Sequence, residues 1–336
     1  MSEGIDVIKK GGLVFFVVFL LVLPFTAHTE NFTIRFSHVV SKNSPKGRAI
    51  SYFKNTLEKR TKGRIKVKVY PAGILLDDVA AVGAVKNNII QMASPAFSKL
   101  GLYIRDFQVF DIPYLFKNKN EIHNAYSGKI GNILKEKSLS SGFRLLSFWD
   151  NGFKVITNNS HPISSPEDMK NLIFRTMGSE VLALQFQLCG AIAYSYPFSN
   201  VYELLKEGVV DGQENTFNNI YSQKIHEVQR YMTISDHGYL GYAVIVSSKF
   251  WEKLPVSDRK LIKDVLRQTT DLEYTLAAKQ NFNDYYRIKN DTSAKIKIKE
   301  LDVEEKNRWK KYFKDHYDEF SQIVSDDIFS EALKLN

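Results

Sequence analysis

Between Ile34 and Pro95 the apolar residues change period again and again, and this constrains the fold more than any other feature of the chain. Ile34 and Phe36 alternate with Arg35 and Ser37, the pattern of a half-buried strand that ends at His38-Val39-Val40. Ile50, Phe53 and Leu57 then recur at helical spacing, and Ile65, Val67 and Val69 alternate with basic residues up to Pro71. Val79, Val82 and Val85 return to helical spacing, and a strand over Ile89–Ala93 ends at Ser94-Pro95. Strand–helix–strand alternation of this kind predicts an α/β fold with parallel strands. Ser44-Pro45 reads as a helix start, a capping hydroxyl followed by proline at the first helical position. Lys46 falls in that first turn, where the helix dipole disfavours a cation. It is either a tolerated surface lysine or a charge aimed at a cleft.

At 336 residues the chain has room for two domains or one large one, and a 44% hydrophobic, 25% charged composition is that of a globular protein. The net charge of +9 raises the question of nucleic acid. The basic residues are interspersed with acids, as in Lys295–Lys314, and no helix-turn-helix, zinc-finger or RNP pattern accompanies them, so nucleic-acid binding is set aside. A basic field of this kind can steer anionic solutes. Near the N-terminus Lys9-Lys10 precede the apolar run Leu13–Leu23, a positive region and a core of signal-peptide length. Cleavage after Ala27 or Thr29, or retention as an anchor, would follow; either way the chain is expected to be exported. Cys189, the single cysteine, has no partner for a disulfide and falls in an apolar helical pattern, which reads as a buried, inert thiol.

Several predicted strands end in polar clusters, and ligands of open α/β sheets sit at such ends. Phe143–Trp149 reads as a strand, Gly152 as a turn, and Phe153 as the start of the next strand, with Lys154 as an exposed strand residue or a ligand contact. Ser165-Pro166-Glu167-Asp168 has the form of a capping box. Leu172-Ile173-Phe174 is a short apolar strand that ends in Arg175. A guanidinium there needs an anion, which is a structural carboxylate or a ligand carboxylate held through two parallel hydrogen bonds. Val209-Val210 reads as a buried strand that ends at Asp211-Gly212-Gln213-Glu214-Asn215. Phe107–Phe116 reads as aromatic core and the Asn120–Lys137 region as a helix. Ala243–Ser247 is a strand, and Ser257 caps a helix that, unbroken to Tyr286, measures roughly 45 Å at 1.5 Å per residue. The remainder reads as terminal helices.

No nucleophile elbow, zinc helix, dinucleotide fingerprint or Walker motif occurs. His38, His226 and His237 stand alone, each more simply structural than catalytic. Neither a metal nor a cofactor is expected.

Five strings in order, SHVV (37–40), VFDIPYLF (109–116), WDNGFK (149–154), DGQEN (211–215) and SDHGYLGYAV (235–244), closely resemble the solute-binding subunits of TRAP transporters, in the DctP branch that binds four-carbon dicarboxylates. The resemblance runs from about Thr33 to about Asn290. It implies a two-lobed periplasmic-binding-protein fold of type II-like form, with a hinge and a long helix spanning both lobes. Residues 1–29 would be the signal peptide, 30–151 and 240–279 lobe I, and 152–239 and 280–336 lobe II. Arg175 matches the family's carboxylate-clamping arginine and Asn215 the asparagine that binds the same group. Lys154 stands where relatives carry a ligand-contacting cation, many of them arginine. Lys46, Ser94 and His38 would meet the other end of the ligand, and Trp149 and Tyr239 would wall the pocket. Thr216 departs from the family, which usually has proline there. The resemblance further implies a monomer that delivers an organic acid to small and large membrane subunits of a permease. A periplasmic enzyme acting on small acids is the rival from another class.

Overall fold

The computed structural model describes residues 30–336, so the segment read as an export signal lies outside the described residues. Strands β1 (Phe32–Ser37), β2 (Ile65–Tyr70), β3 (Met92–Ala93), β4 (Phe143–Phe153) and β10 (Tyr239–Ser247) form one sheet in the order β2-β1-β3-β10-β4. Strands β5 (Val155–Asn158), β6 (Ile173–Thr176), β7 (Ile192–Ser195), β8 (Gly212–Asn215), β9 (Tyr231–Ile234) and β11 (Lys297–Glu300) form the other, in the order β11-β9-β5-β8-β6-β7. The pairs β1–β2 and β1–β3 are parallel, as the sequence predicts, while β10 runs antiparallel to both β3 and β4. In the second sheet β7, β6 and β8 are mutually parallel. Each sheet is covered by helices, giving a two-lobed α/β architecture.

Local chemistry explains most of the element boundaries. Ser44 Oγ accepts from Gly47 N at 3.1 Å and Pro45 opens the helix Pro45–Arg60, so this start is the one the sequence specifies. Asp77 caps the helix Asp78–Lys86 in the same way, through Ala80 N at 2.9 Å. The Ser165–Asp168 box also forms, over a short 3₁₀ turn, with Asp168 Oδ2 accepting from Ser164 N and Ser165 N, each at 2.8 Å. The aromatic run 107–116 is buried core, where Phe97 and Phe110 pack with ring centroids 4.7 Å apart.

Other boundaries differ from the sequence reading. The Val209-Val210 pair is not a strand: Val209 is exposed, and β8 is the polar Gly212–Asn215 segment itself, buried along its length. Hydrogen bonding to neighbours on both sides, rather than apolarity, makes that strand. Only Met92–Ala93 of the predicted 89–93 strand pairs. β4 does not end at Trp149 but continues to Phe153, with Asn151 bulged out where the register with β10 shifts. The predicted 120–137 helix is two, Lys119–Ser127 and Lys129–Ser140, broken at Gly128. The C-terminal region holds β11 as well as helices, because Ile296 and Ile298 alternate with lysines.

The long helix runs from Val256 to Lys289, 34 residues or about 50 Å. Pro255, not Ser257, precedes its first residue. Its early residues Ile262, Val265 and Leu266 join the core of the first sheet, and Ile288 joins that of the second. Between them Asn281 donates to the carbonyl of the bulged Asn151 and accepts from Asn218 N at 3.0 Å, so one helix ties both lobes. The C-terminal segment also touches both. Trp309 Nε1 donates to Ser164 O at 2.9 Å, whereas the last helix, Asp326–Leu335, packs on the helices 119–127 and 129–140.

Candidate functional site

The carboxyl ends of the parallel strands in the two sheets face a common cavity of about 190 Å³. From the first sheet come Val40 after β1, Gly73 after β2 and Ala96 after β3; from the second come Arg175 of β6, Ser195 of β7 and Asn215 of β8. This is the edge at which α/β sheets bind ligands, because strand ends there diverge and leave loop and helix-start groups free to converge.

Arg175 is 1% exposed. Its Nε and Nη2 donate to the Tyr196 carbonyl at 3.1 and 2.8 Å, while Nη1 is buried with no partner. Burial pulls the guanidinium down to about 10, with Glu214 and Asp78 pulling the other way, so it stays charged at neutral pH. A buried cation with an unmet N–H at a cavity wall is a costly arrangement that an incoming carboxylate would relieve. Asn215 Oδ1 accepts from Asn219 Nδ2 at 2.7 Å and from Thr216 N at 3.1 Å. That fixes the amide and leaves Nδ2 to donate. Both residues line the cavity, as the motif positions imply.

The sequence reading missed several cavity residues, Lys99 and Asp78 among them. Lys99 sits on the short helix Phe97–Leu100 and lines the cavity opposite Arg175's lobe. Burial, then the neighbouring Arg175 charge, lowers its ammonium. Its placement follows from the packing of Phe97 into the aromatic core, which no local motif announces. Asp78, at the start of the helix that Asp77 caps, also lines the cavity; the adjacent acids Asp77-Asp78 at a helix start were the available signal.

The remaining predicted residues lie outside the cavity wall. Lys46 is buried, with Nζ 2.8 Å from the Ser94 carbonyl and 3.5 Å above the Tyr242 ring, and Tyr242 lines the cavity. Burial lowers its ammonium to about 8, against the pull of Asp78 and Glu273. It is therefore neither a surface lysine nor a direct wall, but a charge behind the wall. Ser94 offers its carbonyl to Lys46, and its hydroxyl is buried without a partner. His38 is buried with neither ring nitrogen bonded; burial and then Lys46 hold it down at about 3, so it is neutral. Trp149 points into the core, where Nε1 donates to Thr270 Oγ1 at 2.9 Å. Tyr239 packs edge-on against Phe153 at 5.1 Å.

Lys154 is the largest departure. The sequence reading offered an exposed strand residue or a ligand contact, and the structure shows neither. The side chain is fully buried, with Nζ 2.8 Å from Glu214 Oε1. Glu214 Oε2 in turn lies 2.7 Å from His237 Nε2, and His237 Nδ1 2.6 Å from Ser235 Oγ. Burial alone would raise the Glu214 carboxyl, but the Lys154 charge and the His237 hydrogen bond outweigh it and hold it at about 2. Burial lowers His237, so the ring is neutral, donating from Nε2 to Glu214 and accepting at Nδ1 from Ser235. Lys154 is thus already neutralised by protein.

The single cysteine does not reach the cavity. Cys189 is buried elsewhere, and burial pushes its thiol up to about 12. Among the described residues no group of three or more His, Cys, Asp or Glu side chains is placed to hold a metal ion, and no helix is long and apolar enough to cross a membrane.

Comparison with known proteins identifies the family and the fold. The family model for DctP, "Bacterial extracellular solute-binding protein, family 7", matches residues 36–323. The C4-dicarboxylate-binding periplasmic protein DctP of Rhodobacter capsulatus is 37% identical over 315 residues, 94% of each chain. A TRAP periplasmic solute-binding protein from Sulfurospirillum deleyianum, solved with bound succinate, superposes with a TM-score of 0.87 at 36% identity, over 91% of this chain and 100% of that one. A sugar acid binding protein from Advenella mimigardefordensis, in complex with galactonate, also superposes at 0.87, with 26% identity, over 91% of this chain and 98% of that one. Members of this family are the substrate-binding components of TRAP transporters, not enzymes. The chain belongs to the DctP family of bacterial extracellular solute-binding proteins, family 7.

Proposed function

We propose that this chain captures a C4-dicarboxylate such as malate, succinate or fumarate in the cavity between the two sheets and delivers it, as a periplasmic monomer, to the small and large membrane subunits of a TRAP permease. One observation carries the reading: Arg175 Nη1 is buried at the cavity wall with no protein partner. Arg175 and Asn215 Nδ2 grip one carboxylate, and Lys99 supplies charge from the facing lobe. Lys46, behind Tyr242, adds to the positive field. Lys154 is replaced by Lys99 as the second cation of the site, because Glu214 already occupies it.

Residues 30–151 and 240–279 form lobe I in this reading and 152–239 with 280–325 lobe II. The last helix, expected in lobe II, is assigned to lobe I because it packs there. Two crossings, at Lys154 and between Ile234 and Tyr239, together with the long helix, make the hinge. Closure brings Lys99 onto a ligand already held by Arg175, and only a ligand that binds the closed form better shifts that balance.

Calorimetry at fixed salt with succinate, malate and butyrate tests the reading. The dicarboxylates should bind more tightly than butyrate. Equal affinity for all three would overturn the dicarboxylate assignment. Tight binding of galactonate instead would favour a sugar-acid cargo, the reading that the galactonate-bound neighbour supports.

A further inference from the structure

Asp78 brings into this cavity a charge of the wrong sign for a simple anion trap. It is 7% exposed and lines the same wall as Lys99. Its Oδ2 accepts from Ala96 N at 3.3 Å, at the long end of a hydrogen bond, and no side chain among the described residues donates to it. An ionised carboxylate has room for about four donors. The helix does not need Asp78 as its cap, since Asp77 fills that role through Ala80 N. Burial raises the Asp78 carboxyl, and the Lys46 and Lys99 charges and the Ala96 amide only partly offset that cost; Lys46 Nζ is bonded to Ser94 O and not to the carboxylate.

The cavity therefore presents two complementary deficits. Arg175 lacks an acceptor at Nη1, and Asp78 has the Ala96 amide but no side-chain donor among the described residues. A ligand made only of carboxylates answers the first and aggravates the second, since a carboxylate near Asp78 meets a like charge. A ligand carrying a carboxylate and a hydroxyl answers both. Resting on the function proposed above, we infer that Asp78 accepts a hydrogen bond from a hydroxyl of the bound acid and makes the protein selective for hydroxylated acids over unsubstituted dicarboxylates.

The test is calorimetry of L-malate and succinate, which differ by one hydroxyl, on the wild-type protein and on Asp78→Asn. A hydrogen bond to a charged group is worth roughly 10- to 150-fold in an equilibrium, so wild type should prefer malate by at least about tenfold. Asp78→Asn removes the charge but keeps an acceptor for Ala96 N. In this variant succinate should gain affinity and the preference should fall to within about threefold of unity. Equal affinities in wild type, or tighter succinate binding, would overturn the inference, whether or not the variant folds. So would a malate preference that survives unchanged in an Asp78→Asn protein with a normal melting curve. If succinate and malate both bind wild type with no difference, only the role of Asp78 falls. If neither binds, the proposed function falls and this inference with it.

Discussion

Arg175 and Lys154 are both cations buried beside the strand β8, and their opposite circumstances show what separates a binding group from a structural one. Lys154 is met within the protein by Glu214, which also takes a hydrogen bond from His237. Arg175 has only the neutral Tyr196 carbonyl for two of its nitrogens and nothing for the third. Burying a charge is costly in either place, and where the protein supplies a full counter-charge the cost is met at folding. Where it supplies half, the remainder is left for a ligand. The cluster around Lys154 is thus expected to set stability and the cavity around Arg175 to set affinity.

The sharpest way to break this contrast is to truncate both cations and measure melting temperature and ligand affinity on the same preparations. Lys154→Ala strands Glu214 in the interior, and removing one partner of a buried ion pair costs about 3–5 kcal/mol. Its melting temperature should fall steeply, while succinate affinity in the folded fraction changes less than about threefold. Arg175→Ala should do the reverse. Loss of a buried, hydrogen-bonded charge on a ligand costs roughly 2–5 kcal/mol, or about 30- to several-thousand-fold in affinity. Stability should hold or rise, because the deleted cation had no protein carboxylate. Arg175→Lys recovers only part, since an ammonium keeps the charge but not the planar fork. If Arg175→Ala melts early yet binds normally, the two roles are exchanged and the site assignment fails.

Acid sharpens the same comparison. A carboxyl held at about 2 in the folded protein, against 4.5 in the unfolded chain, contributes stability that is fully present above pH 4.5 and is lost as pH falls toward 2. The full contribution is about 3 kcal/mol. Asp111 works against it, because burial raises that carboxyl to about 6, so folding gains as Asp111 takes up a proton. Comparing wild type with Glu214→Gln tests the first effect, and the Asp111 effect weakens with it because the Glu214 charge helps raise Asp111. The gap in unfolding free energy between them should narrow as pH is lowered from 5 to 2. A gap independent of pH would mean that the Lys154–Glu214 pair does not carry the stability assigned to it.

How far this contrast was legible in the sequence depends on the range of the physics. Ser44-Pro45 and the Ser165–Asp168 box follow local rules and stand where the sequence put them, and the long helix is present but begins after Pro255, not at a Ser257 cap. The place of Arg175 was legible because a guanidinium that ends an apolar run needs an anion, and the structure sets it in the cavity wall with Nη1 unpartnered. Lys154 reads in the sequence as an exposed strand residue or a ligand contact, because its partner lies sixty residues away in Glu214 and only the pairing of β5 with β8 brings the two together. Lys99 carries no local signal, since its place depends on where Phe97 packs. β8 was misplaced because a strand bonded on both sides stays buried on polar residues, which hydrophobic periodicity does not see.

Thr216 stands between the two regions, one residue after the cavity's Asn215 and two after the buried Glu214. Its hydroxyl donates to Asn151 Oδ1 at 2.9 Å, and Asn151 Nδ2 donates to the hydroxyl of Tyr242, a cavity residue, at 2.5 Å. A proline, which the family resemblance leads one to expect here, could make neither that bond nor the one from Thr216 N to Asn215 Oδ1. The backbone already suits it: φ is −82°, close to proline's range, and Thr216 precedes the first residue of the helix Phe217–Ser222. Thr216→Pro should therefore lose two hydrogen bonds of about 1 kcal/mol each. It should regain about 0.4–1 kcal/mol from a less flexible unfolded chain. Net stability should drop by only about 1 kcal/mol. Affinity is the more telling readout, because both lost bonds orient cavity groups. A loosened Asn215 and Tyr242 should weaken succinate binding by up to about tenfold, with Arg175 still in place. Unchanged affinity together with a higher melting temperature would mean that the hydroxyl chain through Asn151 does not link hinge to cavity, and that threonine here is a neutral replacement for proline.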